Sequence, residues 1–264
     1  VQTCALPIWG AVGLAINTPQ AEAAYGGPLP SSWSLLFDPV QSSKLASCGV
    51  SVLDAPDEMF YNLLSYQGRS LTNSSPGRLR KAGEALMGLR PNLRYVDSER
   101  YIDDLNQGRL CVAVAWVGDA LGASDAGQPV QFVVPEEGST LFIDNLVIPS
   151  SARRADLAHQ FIDYLMHPQV AAQISSETLY PSANLGAQQF LEPKLRDTVA
   201  KCVLDYRFDE GLSKGMEGAT HFAPITYLKE WAIVRKVGET AGESYGRAGY
   251  EKERAKEEAA RAKK

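Results

Sequence analysis

Carboxylates and aromatic residues gather in this sequence where short apolar runs end. Trp116, Gly118 and Asp119 follow directly on the run Val112–Ala115, and Asp57 and Glu58 come just past Val50–Leu53. Phe142 and Asp144 fall within a third apolar stretch. In α/β folds ligands bind beyond the carboxyl ends of strands, so these are site positions if the runs are strands. Carboxylates offer charge-assisted hydrogen bonds to ammonium groups. Aromatic faces add cation–π attraction and cover for a methylene stem. The chemistry therefore suits a small cationic ligand. Each residue also has an ordinary reading: Asp57 and Glu58 as complements of a helix dipole, Trp116 as core, Asp119 as a turn residue.

Catalytic alternatives do not assemble. The sequence contains no G-x-S-x-G, no glycine-rich phosphate loop and no H-E-x-x-H. His159, Asp163 and His167 recur at four-residue spacing and could line a helix face for a metal, but the apolar face of that helix lies elsewhere, so they read as its wet side. His221 has no evident partner. No metal and no cofactor is expected.

The elements that must position these groups alternate between apolar runs and helical patterns, which predicts an α/β fold with parallel strands. Val50–Leu53 reads as a buried strand. A helix follows, capped by Asp54 with Asp57 at the capping-box position and Pro56 in its first turn, and runs towards Gly68. A polar loop over 69–77 leads to a second helix ending near Gly88. Leu93–Val96 is a short strand. Ser98 is placed to cap a helix through Asn106, with Gly108 as its stop. Cys111–Val117 is the clearest buried strand, and 122–129 reads as a linker. Two strands, Gln131–Val134 and Thr140–Ile148, flank a Pro-Glu-Glu-Gly turn. The helix from Arg154 carries Leu157, Ala158, Phe161, Ile162 and Leu165 on one face and ends before Pro168. A helix over Gln169–Thr178 follows, and Ile225–Val237 reads as another. The tail from Glu251 is rich in Lys, Arg and Glu.

Size and composition are those of an ordinary globular protein and do not by themselves decide a function. The 264 residues are 45% hydrophobic and 22% charged, with a net charge of -5, which does not favour a nucleic-acid or anionic-membrane partner. The longest apolar stretch, Ala5–Ile16, is interrupted by glycines and falls well short of the roughly 20 residues that span a bilayer. It has neither the basic start nor the cleavage site of a signal peptide. Residues 1–8 (VQTCALPI) resemble translated sequencing-adapter read-through and are set aside. The chain is expected to be a fragment without its export signal. None of Cys4, Cys48, Cys111 and Cys202 has metal-site spacing. Cys48 and Cys111 each open an expected strand, where they could be bridged or could be two buried free thiols.

Residues 48–60 (CGVSVLDAPDEMF), 89–124 (LRPNLRYVDSERYIDDLNQGRLCVAVAWVGDALGAS) and 142–152 (FIDNLVIPSSA) resemble the periplasmic spermidine/putrescine-binding proteins, in particular the putrescine type. WGAVGLAIN (9–17), SSWSLLFDP (31–39) and LYPSAN (179–184) continue the likeness in the same order. It fades after Asn184, where 202–220 looks like an insertion.

The resemblance implies an α/β type II periplasmic-binding-protein fold, in which two lobes joined by crossing strands close on a ligand like a clamp. It implies that Glu58, Trp116, Asp119 and Asp144 contact a polyamine, with Ser98, Phe142 and Tyr180 lining the cleft. It also implies a Cys48–Cys111 disulfide. On this basis 9–126 is expected to form mainly the second lobe, 127–174 a remnant of a largely missing first lobe, and 175–250 a return to the second, with 251–264 a charged tail. The implied partners are a polyamine and the membrane permease of an ABC importer with its ATPase, served in the periplasm by a monomer. The rivals are the same fold with another small cationic or amino-acid-like ligand, and a cytosolic α/β enzyme fragment whose acids are catalytic.

Overall fold

The computed structural model describes residues 4–5, 8–69, 75–193 and 195–196, together with helical positions 255 and 259. The expected helix Ile225–Val237, the insertion at 202–220, His221, Cys202 and most of the charged tail lie outside the described residues. In chain order the elements are β1 (Cys4–Ala5), β2 (Trp9–Asn17), α1 (Thr18–Tyr25), α2 (Ser34–Phe37), α3 (Pro39–Leu45), β3 (Val50–Val52), α4 (Pro56–Tyr66) and α5 (Pro76–Leu89). Then come β4 (Tyr95–Val96), α6 (Arg100–Asn106), β5 (Val112–Trp116), α7 (Val117–Asp125), β6 (Val130–Val133), β7 (Leu141–Ile143), β8 (Leu146–Val147), α8 (Ala155–Leu165) and α9 (Pro168–Thr178).

The main sheet has strand order β4-β3-β5-β2-β6, with β7 also pairing β2. Strands β3, β4 and β5 are parallel, as the βαβ pattern predicts. The sheet is nevertheless mixed, because β2 runs antiparallel to β5, β6 and β7. Thus β6 and β7 do not form a hairpin about the Pro-Glu-Glu-Gly turn; each pairs with a different part of β2. Its carboxyl-terminal half carries β6 and its first three residues carry β7. β1, inside the segment set aside in the sequence, pairs with β8.

Buried apolar faces explain the arrangement. Leu14, Ile16, Val50, Val52, Val112 and Val114 meet Leu35, Phe60, Leu63, Leu64, Leu86 and Tyr101 from the helices in one large core. Two local readings of the sequence are corrected. Residues 122–125 belong to α7 and not to a linker, because the small Ala120 and Ala123 are fully buried and let the helix lie close on the sheet. Ser98 and Asp54 are not caps. Asp97 Oδ1 accepts from the Glu99 and Arg100 N–H groups, while Ser98 Oγ accepts from Asp54 N–H. On α8 only Ile162 is buried; Leu157 and Phe161 of its apolar face stand exposed.

Cys48 and Cys111 form a disulfide with a Cα–Cα distance of 5.5 Å, at the amino-terminal ends of the adjacent strands β3 and β5. Their separation of 63 residues gives a loop-closure contribution of about 4 kcal/mol in the chain-entropy model. Urea denaturation with and without reductant should show a loss approaching that figure, and a Cys48→Ala/Cys111→Ala variant should match the reduced protein.

Candidate functional site

The site begins with a strand pair. β3 and β5 lie side by side and parallel, with Val50 opposite Val112 and Ser51 opposite Ala113. Their carboxyl ends therefore open at one edge of the sheet, and each feeds a helix there. After β3, Pro56 starts α4 and places Asp57 and Glu58 in its first turn. After β5, Trp116 is the N-cap of α7 and Asp119 lies in its first turn. The third contribution comes through β2, where Val12 pairs with Trp116 and Gly10 with Phe142. Two residues along a strand is about 7 Å, on one face, so Trp116 and Phe142 are brought to neighbouring positions.

These side chains form a connected set. The Thr140 hydroxyl and the Trp116 indole lie beside Glu58 and favour its charged form. The Trp116 and Tyr101 rings are tilted with centroids 6.5 Å apart. Tyr101 donates its hydroxyl to Asp119 Oδ2, and Tyr180 donates to Oδ1 at 3.3 Å. Tyr180 in turn meets Phe142 edge to face, centroids 5.8 Å apart. Asp144 is exposed beside this group, close enough for its charge to act on Tyr180. Of the residues singled out in the sequence, Glu58, Trp116, Asp119, Phe142 and Tyr180 are brought together. Ser98 is half-buried, its hydroxyl engaged with the Asp54 amide where β3 ends.

Sequence reasoning missed Tyr101, Thr140 and Gly10, and placed Gly118 at the site without the reason a glycine is needed there. A Cβ on Gly118 would run into the Tyr180 ring, and one on Gly10 into Phe142 and Tyr180, so both positions must lack a side chain for the aromatic pair to sit where it does. Leu179, just before Tyr180, holds a left-handed backbone at φ 60, a conformation costly for leucine.

The electrostatics separate these acids from a structural one. Asp104 is also buried, but Arg109 Nε lies 2.6 Å from it, Arg100 Nε 3.4 Å, and Tyr95 donates at 2.6 Å. Burial pushes its carboxyl up, yet the tyrosine and the two arginines outweigh that and hold it below the usual range. Glu58 and Asp119 have no such cations: among the described residues neither is paired with a lysine or arginine. Burial, aided at Glu58 by neighbouring Asp57, raises both carboxyls although each has two donor groups beside it. Burial and the Asp119 charge likewise push the Tyr101 and Tyr180 phenols up, so both stay protonated and donate. Glu58 Oε2 is shielded from solvent without a hydrogen-bond partner.

The family model described as "Bacterial extracellular solute-binding protein" matches residues 7–206. The putrescine-binding periplasmic protein PotF of Escherichia coli K12 is 38% identical over 198 residues, covering 72% of this chain and 54% of that protein. The putrescine-binding periplasmic protein SpuD of Pseudomonas aeruginosa is 33% identical over 197 residues, again 72% and 54%. The chain thus spans about half the length of these relatives. A solved structure titled a putative spermidine/putrescine ABC transporter from Listeria monocytogenes superposes with a TM-score of 0.68 at 21% identity, over 88% of this chain and 68% of that one. That likeness is one of fold.

Each raised carboxyl holds its proton more tightly folded than unfolded. Stability therefore falls as pH rises from the ordinary values of 4.5 for Glu58 and 3.8 for Asp119 through their higher folded values, and the loss persists at neutral pH. Glu58→Gln keeps the Oε1 acceptor and removes the charge. At pH 7, without ligand, its Tm should exceed the wild type's by about 2–4 °C for each kcal/mol of burial cost relieved. That margin should shrink as the pH is lowered through the carboxylate range. Calorimetric scans at pH 7 and pH 4 check both halves, and a Tm at or below wild type at pH 7 contradicts this account.

Proposed function

The chain belongs to the bacterial extracellular solute-binding proteins and has the type II periplasmic-binding-protein fold, and on that premise we propose that the complete protein captures a linear polyamine, putrescine or spermidine, for an ABC importer. The observation that carries this reading is the pair Glu58 and Asp119: partly buried carboxylates, each held by two uncharged donors, neither paired with a cation among the described residues. Burying such charges costs free energy unless a cation joins them. A diamine supplies one ammonium to each. Trp116, Tyr180 and Phe142 cover the methylene stem between them, and Asp144 attracts the ligand from the exposed side. Selectivity follows from matching the spacing of the carboxylates to that of the ammonium groups. Ser98 contributes at the margin of the cleft, where β3 ends. The printed names of the relatives support the choice of polyamine.

In this reading β2 is a strand shared between lobes: β5 pairs with it towards the second lobe and β7 towards the first, while β6 lies on it where the chain passes from one lobe to the other. Residues 9–126 and 175–250 form mainly the second lobe, and 127–174 belongs to the first. The exposed Leu157, Phe161 and Tyr164 of α8 fit a face that more of the first lobe covers. The protein performs no covalent chemistry. It works outside the cytoplasm as a monomer and hands its ligand to a permease driven by an ATPase; the Cys48–Cys111 disulfide suits an oxidising compartment.

A thermal-shift titration on the protein at its relatives' full length tests this. Ligand that binds only the folded state stabilises it by about 2.7 kcal/mol at a hundred times its Kd. Putrescine or spermidine should raise Tm saturably, Asp119→Ala should abolish the rise, and the 264-residue chain alone should bind far more weakly. No shift with any polyamine on folded protein removes the ligand assignment.

A further inference from the structure

Tyr101 lies on α6 with 1% of its surface exposed, yet its hydroxyl ends on a carboxylate of the site. Other buried polar groups close on the scaffold. Asn62, fully buried on α4, accepts from the Thr140 backbone N–H at 3.1 Å, and Ser139 Oγ lies 3.0 Å from the same oxygen. Those bonds tie the helix to the corner before β7. Tyr95 donates to Asp104, an acid already paired with Arg100 and Arg109. Tyr101 differs, because Asp119 is paired with no lysine or arginine among the described residues.

An aspartate needs a partner to fix its direction. The last torsion of its side chain is broad, so the rotamer by itself leaves the plane of the carboxylate open. In the first turn of α7, Asp119 also has rival donors in the unpaired N–H groups of its own helix start. Both oxygens instead meet phenols from other elements, Tyr101 at Oδ2 and Tyr180 at Oδ1. The two phenols are not equivalent. Tyr180 is half-buried beyond the end of α9 and donates at 3.3 Å, long for a hydroxyl hydrogen bond. Tyr101 is enclosed, its ring tilted against Trp116 with centroids 6.5 Å apart. A ring packed in this way has no room to swing, so its hydroxyl keeps one place.

We propose that Tyr101 is a positioning residue: its hydroxyl pins Oδ2 of Asp119 and so presents Oδ1, the more loosely held oxygen, to a ligand ammonium. Oδ1 lies on the side of Tyr180, whose ring meets Phe142 and forms the wall of the site. The ligand clause rests on the proposed function, whereas the pinning of Asp119 does not. Through its contact with Trp116 the same side chain also steadies the aromatic face beside the acid. The titratable groups that face Asp119 are Tyr101 from α6 and Tyr180 beyond α9, and Asp144 acts on Tyr180 in turn.

Carbon-detected NMR of the Asp119 carboxyl in the full 264-residue chain, its signal identified by its loss in Asp119→Asn, tests the pinning without any ligand. Tyr101→Phe keeps the ring and removes the hydroxyl. The Asp119 titration midpoint should then rise by about one pH unit or more, the weight of one hydrogen bond to a charged group. Tyr180→Phe should raise it less, and Tyr95→Phe, which takes the same group from the scaffold acid, should leave it in place. Where Tyr101→Phe does not fold, the wild type still decides: the hydroxyl-bearing ring carbon of Tyr101 should titrate with the Asp119 midpoint. An unmoved midpoint in Tyr101→Phe, an equal or larger move in Tyr180→Phe or Tyr95→Phe, or a Tyr101 carbon blind to Asp119 overturns the proposal. In the protein at its relatives' full length, Tyr101→Phe should weaken putrescine binding about tenfold, roughly the same bond read as affinity, and unchanged affinity overturns the ligand clause. Failure of the wild type to bind putrescine sinks the proposed function, while the ligand-free midpoint decides the pinning separately.

Discussion

The parallel pairing of β3 with β5 is the constraint on which the site depends. Parallel strands need crossover connections, so the chain must leave each strand at the same edge and return over the face of the sheet. That requirement delivers two helix amino-termini side by side, α4 with Glu58 and α7 with Asp119. Both carboxylates gain from the partial positive charge of a helix start, which offsets part of their burial cost. The disulfide clamps the same two strands at their opposite ends. A shift of one residue in this register would turn alternate side chains to the other face and separate the two carboxylates from their donors.

The charges of the site and the charges of the scaffold obey different rules. Asp104 is surrounded by Arg100, Arg109 and Tyr95 and satisfied where it sits. Glu58 and Asp119 are supported only by hydroxyl and indole donors, which stabilise a carboxylate without neutralising it. An internal arginine would have made the folded protein more comfortable and occupied the place of any cationic ligand. The uncompensated burial lowers the stability of the unliganded protein, and under the proposed function it is the cost that a bound cation would relieve.

How much of this was legible in the sequence follows from the kind of signal each part carries. The strands β3 and β5 are short apolar runs bounded by helix-start residues, so both they and the acids beyond their ends could be read directly. The antiparallel course of β2 could not, because pairing direction depends on where a strand ends up and not on its own composition. The end of α7 was hidden by small residues, which mark a linker and a close-packed helix equally well. Tyr101 falls at a core position of α6, and nothing local reveals that its hydroxyl reaches Asp119, 18 residues on. Asn62 did leave a trace: it is a polar residue inside the buried pattern Met59, Phe60, Leu63 and Leu64, and such a residue must find partners.

The aromatic wall shows why the ends of β2 matter as much as the carboxylates. Tyr180 reaches Asp119 only because Gly10 on β2 and Gly118 on α7 leave its ring room, and because Leu179 takes a left-handed turn at the end of α9. Leucine bears that strain since its side chain packs with the cluster of Ala171, Ala172 and Ala187, alongside Trp9 from β2. Pro181 O accepts the Trp9 N–H just beyond. The same strand therefore supplies the space for Tyr180, the packing that holds Leu179, and the pairing that carries Phe142. A movement of β2 relative to α7 would alter the Tyr180–Asp119 and Tyr180–Phe142 contacts together. Under the proposed function, coupling of that kind would make the closing of a cleft and the assembly of its walls one event.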